Sequence, residues 1–583
     1  YGLEVVMPVD ERGCYDESIK GLNLLPNADE FVGMHIFKAN EPILEILGDA
    51  LLKESKFVHS YPHCWRTKKP LIYRATNQWF ISIDDTAKGA EDTLRNTALN
   101  AIEGVDFYPK TSKNRLKPMI EGRPDWCISR QRSWGVPIAF FRNKSTKEVI
   151  FDENVLEHVA TLFDAQGADA WYSMSIEELL PENSGYHADD LEKIDDILDV
   201  WFDSGSTWNS VIKSGNYDAG EYPASLYIEG SDQHRGWFQS SLLLSSAVNE
   251  VSPYKTLITH GFTVDEKGEK MSKSKGNVVA PDKVIKEYGS EILRLWVALS
   301  DYQSDLKISD GILKQTAEQY RKIRNTFRFL LANVDDLETY VTNDAYGELD
   351  RWILTKAAEV FTSVKSSFDA YDFLRGFSTL NHFITNELSG IYMDITKYRL
   401  YCEDKNDPVR RATQSAMAHI SKAMLGLIAP VLTYTADEIL EYAPALFKGD
   451  MENVFDLVYI EVPEVEASFD DKVLLEARVK FSEAVDKLKK EKLMKSTLEV
   501  EIAGDMSAFD IKDSKDLEDW FVVSAMKSSS EGEQVASFEV DGSTYTVHKA
   551  TASKCPRCWR FTSSSDACAC ERCTNVVGNG DVA

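Results

Sequence analysis

No stretch of the chain approaches the ~18 consecutive apolar residues that a membrane span requires, so no membrane partner is expected. Positive charge is also short: 65 Lys and Arg stand against 94 Asp and Glu, a net charge of −29, so any phosphate-bearing partner must be met by local clusters rather than by the overall field. There is no internal repeat and no long low-complexity tract, and the Ser528–Ser530 and Ser563–Ser565 stretches read as loops. The first residues, Tyr1 to Pro8, hold no basic segment followed by an apolar core and no initiator Met; they read not as a secretory signal but as a chain that begins partway through something larger. Cysteine is sparse and uneven. Cys14, Cys64, Cys127 and Cys402 are scattered, which suggests a reducing compartment, and Cys555, Cys558, Cys568, Cys570 and Cys573 crowd into the last segment, which suggests metal.

What is present describes a globular protein with 43% hydrophobic and 27% charged residues. At ~100–200 residues per domain, its 583 residues call for three to five domains. The first ~65 residues carry Gly, Pro and Asn turn signals around short apolar runs such as Val5–Val9 and Phe57-Val58. From about 66 to 310, strand and helix alternate: 224–228 and 256–259 read as buried strands and 291–299 as a helix, the pattern of a parallel sheet with ligand groups at strand ends. Glu229-Gly230 and His260-Gly261 fall just past two such strands. From about 311 to 459 the pattern is almost wholly helical, for example over 415–428. A charged amphipathic helix over 473–492, an alternating strand over 497–502 and a smaller mixed domain follow.

The run Lys270-Met271-Ser272-Lys273-Ser274, continued by Lys275-Gly276-Asn277, sits between the turn at 265–268 and a helical pattern opened by Pro281 and ended near Gly289. On spacing alone it fits a solvated face or generic anion patch as well as phosphate chemistry. Arg321, Arg324 and Arg328, with Lys322, form one candidate basic face, and Lys487, Lys489, Lys490, Lys492 and Lys495 another; each fits an ordinary exposed helix surface equally well. Cys555-Pro-Arg-Cys558 and Cys570-Glu-Arg-Cys573 are two C-x-x-C pairs separated by eleven residues, a spacing that suits one tetrahedral, closed, structural Zn²⁺ with Cys568 as a bystander.

Taken with Asp125-Trp126 through Pro137, Asp199 through Trp208, Tyr227 through Phe238, Leu349 through Trp352 and Thr433 through Glu438, the Lys270–Ser274 run looks like the KMSKS element of class I aminoacyl-tRNA synthetases. The whole chain resembles their bacterial isoleucyl branch, with the valyl and leucyl branches and a non-catalytic tRNA-binding relative as alternatives. The resemblance implies a multidomain α/β protein: a remnant of an editing domain (1–65), the second half of a Rossmann-type parallel-sheet catalytic domain (66–310), an all-helical anticodon-binding domain (311–465), a junction domain (466–550) and a small zinc-binding domain (551–583). It implies activation of L-isoleucine with Mg²⁺-ATP and transfer to tRNA(Ile) by a cytoplasmic monomer. Lys273, then Lys270, would meet the ATP phosphates. Glu229, Gly230, Asp232, Gln233 and Trp237 would line the adenylate, with His234 a scaffold residue and Lys275 facing solvent. The family's HIGH tetrapeptide and its editing motifs are absent from this sequence, so residues 1–583 by themselves are not expected to form the adenylate. Cys64-Trp65-Arg66-Thr67 looks like half of a metal knuckle in some relatives; with Thr67 in place of the second cysteine, no metal is expected there.

Overall fold

The computed structural model describes residues 6–22, 26–64, 66–132, 134–218 and 220–578. Val5 of the first apolar run, Trp65 of the half-knuckle and Ser133 of the 125–137 run lie outside the described residues. The chain divides into two compact units, Tyr1–Tyr227 with Asp232–Leu257, and Ile228–Ser231 with Ile258–Ala583.

The first unit is organised around the helix Trp237–Asn249, in which nine consecutive residues from Phe238 to Ser246 are buried. A helix buried on all sides has to be central, and this one packs against the helices Leu94–Glu103 and Val200–Gly205. Phe238, Leu242 and Leu243 meet Ile102, Leu116, Ile120, Trp126 and Leu257 in one core. Thr93 caps Leu94–Glu103 by accepting the Asn96 N–H, 3.2 Å. The sheet order is Asp106–Tyr108, Tyr254–His260, Ala224–Gly230. The last two strands are neighbours joined through Trp237–Asn249, the strand–helix–strand crossover that parallel neighbours require. Phe141, Val155, Trp171 and Leu191 form a separate core, and Ile19, Phe31 and Ala39 a third, small one near the N-terminus.

In the second unit the helices Pro281–Tyr288 and Ser290–Ala298 follow the lysine run and lead into Asp310–Val334 and Glu348–Asp369. The helix Pro408–Ile428, capped by the Asp407 carboxylate, buries fourteen of its side chains. A contiguous hydrophobic cluster runs from Leu295 through these helices to Val547 in a four-stranded sheet ordered Ala525–Lys527, Val500–Ala503, Ser543–Lys549, Gln534–Val540. The last two strands form a hairpin whose turn residues, Asp541 (φ 47°) and Gly542 (φ 75°), both have the positive φ of a tight hairpin turn.

Three local expectations shift. The strands expected over 224–228 and 256–259 run on to Gly230 and His260, so Glu229, Gly230 and His260 are the last strand residues rather than the first loop residues. The strand expected over 497–502 begins only at Val500, after a 3₁₀ turn Thr497–Glu499 whose Ser496 side chain accepts the Leu498 N–H. That strand does not alternate: Glu501 is buried with its neighbours and satisfied by Lys527, 2.8 Å away, and by the Ser530 hydroxyl.

Candidate active site and metal centre

The lysine loop is a small, internally braced structure. Its stem is the strand Thr263–Val264, paired in parallel with Leu306–Lys307. Gly261 is obligatory just before it, because a Cβ there would lie 2.1 Å from the Ser304 carbonyl oxygen. At the centre of the loop the Asp265 carboxylate accepts the Lys267 and Glu269 N–H groups (3.0 and 2.8 Å) and the Asn277 side-chain N–H (2.8 Å). Asn277 in turn accepts the Ser272 N–H, 2.9 Å. The hydrogen bond from Asn277, followed by that from the Glu269 N–H, holds the Asp265 carboxyl below the usual carboxylate range. Met271 anchors the loop from below by packing on the cluster of Val284, Ile292 and Trp296. Gly268 (φ 82°) and Gly276 (φ 69°) make the two left-handed turns.

This bracing separates the lysines. Lys270 sits over the Phe262 ring, its Nζ 4.4 Å from the centroid. Lys275 pairs with Glu269 at 3.3 Å. Lys273 is exposed and has no side-chain partner among the described residues. Asp265, Asn277 and Phe262 carry no role on sequence spacing; the available signal was the Asn directly after the loop-closing glycine.

The other adenylate-facing candidates divide between the units. Glu229 and Gly230 belong to the second unit with the loop; Asp232, Gln233 and Trp237 belong to the first. The Glu229 carboxylate is exposed and accepts the Gly230 N–H at 3.4 Å. Gln233 donates to the Asp232 carboxylate at 3.0 Å and accepts the Trp237 N–H at 3.0 Å. Trp237 is a wall rather than a donor, since its indole N–H is committed to the Ser204 carbonyl, 2.8 Å, and its ring stacks on Tyr227, 4.1 Å between centroids. His234 is buried against Phe238, as a scaffold residue would be.

At the C-terminus Cys555, Cys558, Cys570 and Cys573 converge, their four sulfurs within 4.8 Å of one another and all buried, while Cys568 is exposed. Cys558 Sγ and Cys570 Sγ are 3.8 Å apart, and a tetrahedron with metal–sulfur bonds of ~2.3 Å has edges of about that length. The donor set therefore fits a tetrahedral thiolate metal. Burial opposes ionisation at Cys555, but the N–H groups of Cys558, Cys570 and Arg557 outweigh it and bring the thiol down to about 6. Arg557 donates to Cys573 Sγ at 3.6 Å and offsets thiolate charge from outside the ligand shell. Among the described residues this is the one group of three or more His, Cys, Asp or Glu able to hold a metal. At the half-knuckle, Thr67 N–H donates to Cys64 Sγ at 3.4 Å, and the Thr67 contacts bring that thiol down to about 7.

The two basic faces differ. Arg324 is clamped by Glu438 in a bidentate pair, 2.6 and 2.7 Å, and Arg321 by Glu318 at 2.8 Å. Lys487, Lys489, Lys490, Lys492 and Lys495 are exposed and unpaired among the described residues.

Residues 15–309 match the family model described as tRNA synthetases class I (I, L, M and V), and residues 350–503 match the anticodon-binding domain of tRNA ligase. The isoleucine–tRNA ligase of a Sulfurovum species is 80% identical over 99% of the chain, and that of a Nitratiruptor species is 60% identical over 99%. The chain spans 63% and 62% of these two relatives. The match of residues 15–309, half of the chain, to the first model places the chain among the class I tRNA synthetases of the isoleucine, leucine, methionine and valine group.

Proposed function

We propose that the complete protein is an isoleucine–tRNA ligase, which joins L-isoleucine to ATP as isoleucyl-adenylate, releases pyrophosphate, and passes the isoleucyl group to the 3′-terminal ribose of tRNA(Ile). The observation that carries the reading is the 80% identity, over 99% of the chain, to a relative of that name. The site geometry supports it. Adenylate formation is attack by the isoleucine carboxylate on the α-phosphorus with pyrophosphate as leaving group, and no protein nucleophile is needed. Catalysis is positioning and neutralisation of charge on the phosphoryl oxygens. Lys273, with no competing carboxylate, is suited to the β- and γ-phosphates of Mg²⁺-ATP. Lys270, held over Phe262, takes a second contact. Glu229 is the carboxylate for the substrate ammonium, Gly230 admits the ligand to the backbone, and Asp232 and Gln233 meet hydroxyl or amine groups of the nucleotide, with Trp237 as the wall behind them.

In this reading residues 66–310 are catalytic, 311–465 bind the anticodon arm, 466–550 form the junction and 551–583 hold one Zn²⁺ through Cys555, Cys558, Cys570 and Cys573. That ion closes the C-terminal module and takes no part in the reaction. Residues 1–65 are the end of an editing domain. The protein acts as a monomer in a reducing cytoplasm. The test is ATP–pyrophosphate exchange by the full-length protein with isoleucine, valine or leucine: exchange driven best by isoleucine is expected, and a preference for either rival would overturn the assignment.

A further inference from the structure

We propose that Glu291 and Arg294 are positioning residues for adenylate formation: they lock the helix beneath the lysine loop onto the chain at 430–435, and that lock fixes where Lys273 meets the leaving pyrophosphate. Resting on the role of Lys273 given above, the lock is the part of the fold that holds the loop to its substrate.

The loop does not stand on its own bonds alone. Met271 packs down onto Val284, Ile292, Trp296, Leu306 and Ile308, and its sulfur accepts the Val279 N–H at 3.3 Å. Ile292 and Trp296 in that floor belong to the helix Ser290–Ala298. The Trp296 indole N–H donates to the Lys307 carbonyl at 3.2 Å, on the strand paired with the stem of the loop. The same helix turns Leu295 and Ala298 into the larger core, with Phe327, Leu330 and Trp352. A helix shared between two close-packed cores carries a displacement of one into the other, so whatever holds Ser290–Ala298 also holds the loop.

Glu291 is buried and makes no ion pair among the described residues. Its carboxylate instead accepts the Thr435 N–H, at 3.1 and 3.2 Å to its two oxygens, and the Thr435 hydroxyl. Thr435 is the third residue of the helix Thr433–Glu441, whose own N-cap position holds Leu432 and supplies no side-chain cap. Glu291 is therefore the cap of that helix, delivered from 144 residues away: it takes a first-turn N–H and sits at the positive end of the helix dipole. One turn along from Glu291, Arg294 donates to the Pro430 carbonyl at 2.6 Å and to the Val431 carbonyl at 2.9 Å. An acceptor and a donor three residues apart share one face of a helix, and here they grip the same short stretch of chain, 430–435. Tyr320 closes the contact by sharing the Thr435 hydroxyl at 2.8 Å.

Apolar packing between helices is non-directional and lets one slide along the other, whereas charge-assisted hydrogen bonds fix register. The lock is also well placed. The helix Pro281–Tyr288, into which the loop runs, ends at Gly289 (φ 92°), and Glu291 lies two residues past that joint. Fixing Glu291 fixes the far side of the joint, and with it the floor under Met271 and the direction in which the chain leaves Lys273.

The test is isoleucine-dependent ATP–pyrophosphate exchange by the full-length protein carrying Glu291→Gln or, at an exposed position where folding is not at stake, Arg294→Ala. Each should lower kcat about 10-fold and leave the KM for isoleucine unchanged, since the loop acts on the leaving group. Double variants separate positioning from a general loss of folded protein. Added to Lys273→Ala, either change should cost less than about a further 2-fold, because the lock then has no lysine left to position; a loss of folded protein would multiply the two defects. An unchanged kcat in both Glu291→Gln and Arg294→Ala would overturn the proposal, as would defects that multiply with that of Lys273→Ala. Exchange driven better by valine or leucine would overturn the proposed function alone, because the same ratios of variant to wild type can be read with that amino acid.

Discussion

At the scale of single residues, the three lysines of the loop are told apart by what each already touches. A cation with no partner surrenders nothing when it takes a phosphate, whereas Lys275 must first leave Glu269. Lys273→Ala in the complete enzyme is therefore expected to slow isoleucine-dependent ATP–pyrophosphate exchange by ~10²–10³-fold, the usual cost of one preorganised donor, with little change in the KM for isoleucine. Lys275→Ala should stay within about 3-fold. Equal losses in the two variants would refute this division of roles. Asn277 is the brace. Its replacement by Ala removes the bond to Asp265 and the acceptor for Ser272 N–H, and should slow exchange by about 10-fold without altering isoleucine binding; an unaffected rate would show that the lysines are positioned without it. These lysines were legible in the sequence because their spacing is local. The Asp265–Asn277 contact spans twelve residues of loop and depends on both glycine turns, so it becomes visible only in the folded backbone.

At the scale of elements, the C-terminal module and the helix Pro408–Ile428 each carry a measurable consequence. Elemental analysis should find one Zn²⁺ per chain, lost in Cys570→Ser and kept in Cys568→Ser, since Cys570 is inside the sulfur cluster and Cys568 is exposed outside it. The reverse pattern would assign the wrong fourth ligand. On Pro408–Ile428, His419 stacks against Tyr340, 4.2 Å between centroids, and burial brings it down to about 4 from 6.5. The unfolded chain thus takes up a proton near pH 6.5 that the folded chain refuses until about 4. Stability from this group is full above pH 6.5 and falls as pH drops toward 4, by about 1 kcal/mol at pH 5 once the ring's partial exposure to solvent is allowed for. Thermal unfolding of His419→Gln should show a shallower loss between about pH 7 and 5 than the wild type, and identical slopes would refute the assignment. The helices themselves were readable because capping residues and 3.6-residue periodicity are local: Asp407 before Pro408 marks a start whether or not anything packs on it. The strand over 497–502 starts three residues late because Ser496 caps a 3₁₀ turn over Thr497–Glu499, and its apparent alternation fails at Glu501, whose burial depends on Lys527 and Ser530 arriving from another part of the chain.

At the scale of the whole molecule, a net charge of −29 must be reconciled with the polyanionic partner proposed above. The arrangement of charge does this. Carboxylates pair Arg321 and Arg324 on one candidate basic face, and leave free the lysines in the last turn of Asp471–Lys490 and just past it. Lys489→Ser with Lys490→Ser should therefore weaken tRNA binding and lower its salt slope by about 2, while Arg324→Ala should change the slope by less than about 1. A larger change for Arg324→Ala would mean that its pair with Glu438 opens on binding. The deepest charges serve the fold instead. Arg399, 2% exposed, bonds Asp519 at 2.8 Å and Asp516 at 2.5 Å, with Asp350 nearby at 3.9 Å. Arg399→Met would leave Asp516 without its ion pair and the buried Asp350 without a cation, while Asp519 keeps Arg560, and should cost ~3–5 kcal/mol in unfolding measurements; a variant as stable as the wild type would show that the acids simply take up protons.

What the sequence determined by itself is what short-range chemistry encodes. Lysines between two glycines, two C-x-x-C pairs, capped helices and a strand–helix–strand alternation each draw on neighbours within a few turns of chain, and each is present in the structure, with strand and helix ends shifted by one or two residues. Tertiary structure decided which charges are free and which are spent. Arg324 and Glu438 are 114 residues apart, Arg399 and Asp519 are 120 apart, and Glu291 reaches Thr435 across 144. No spacing rule reaches across such separations, because whether two charges meet is set by how the cores pack, and packing is a property of the whole fold.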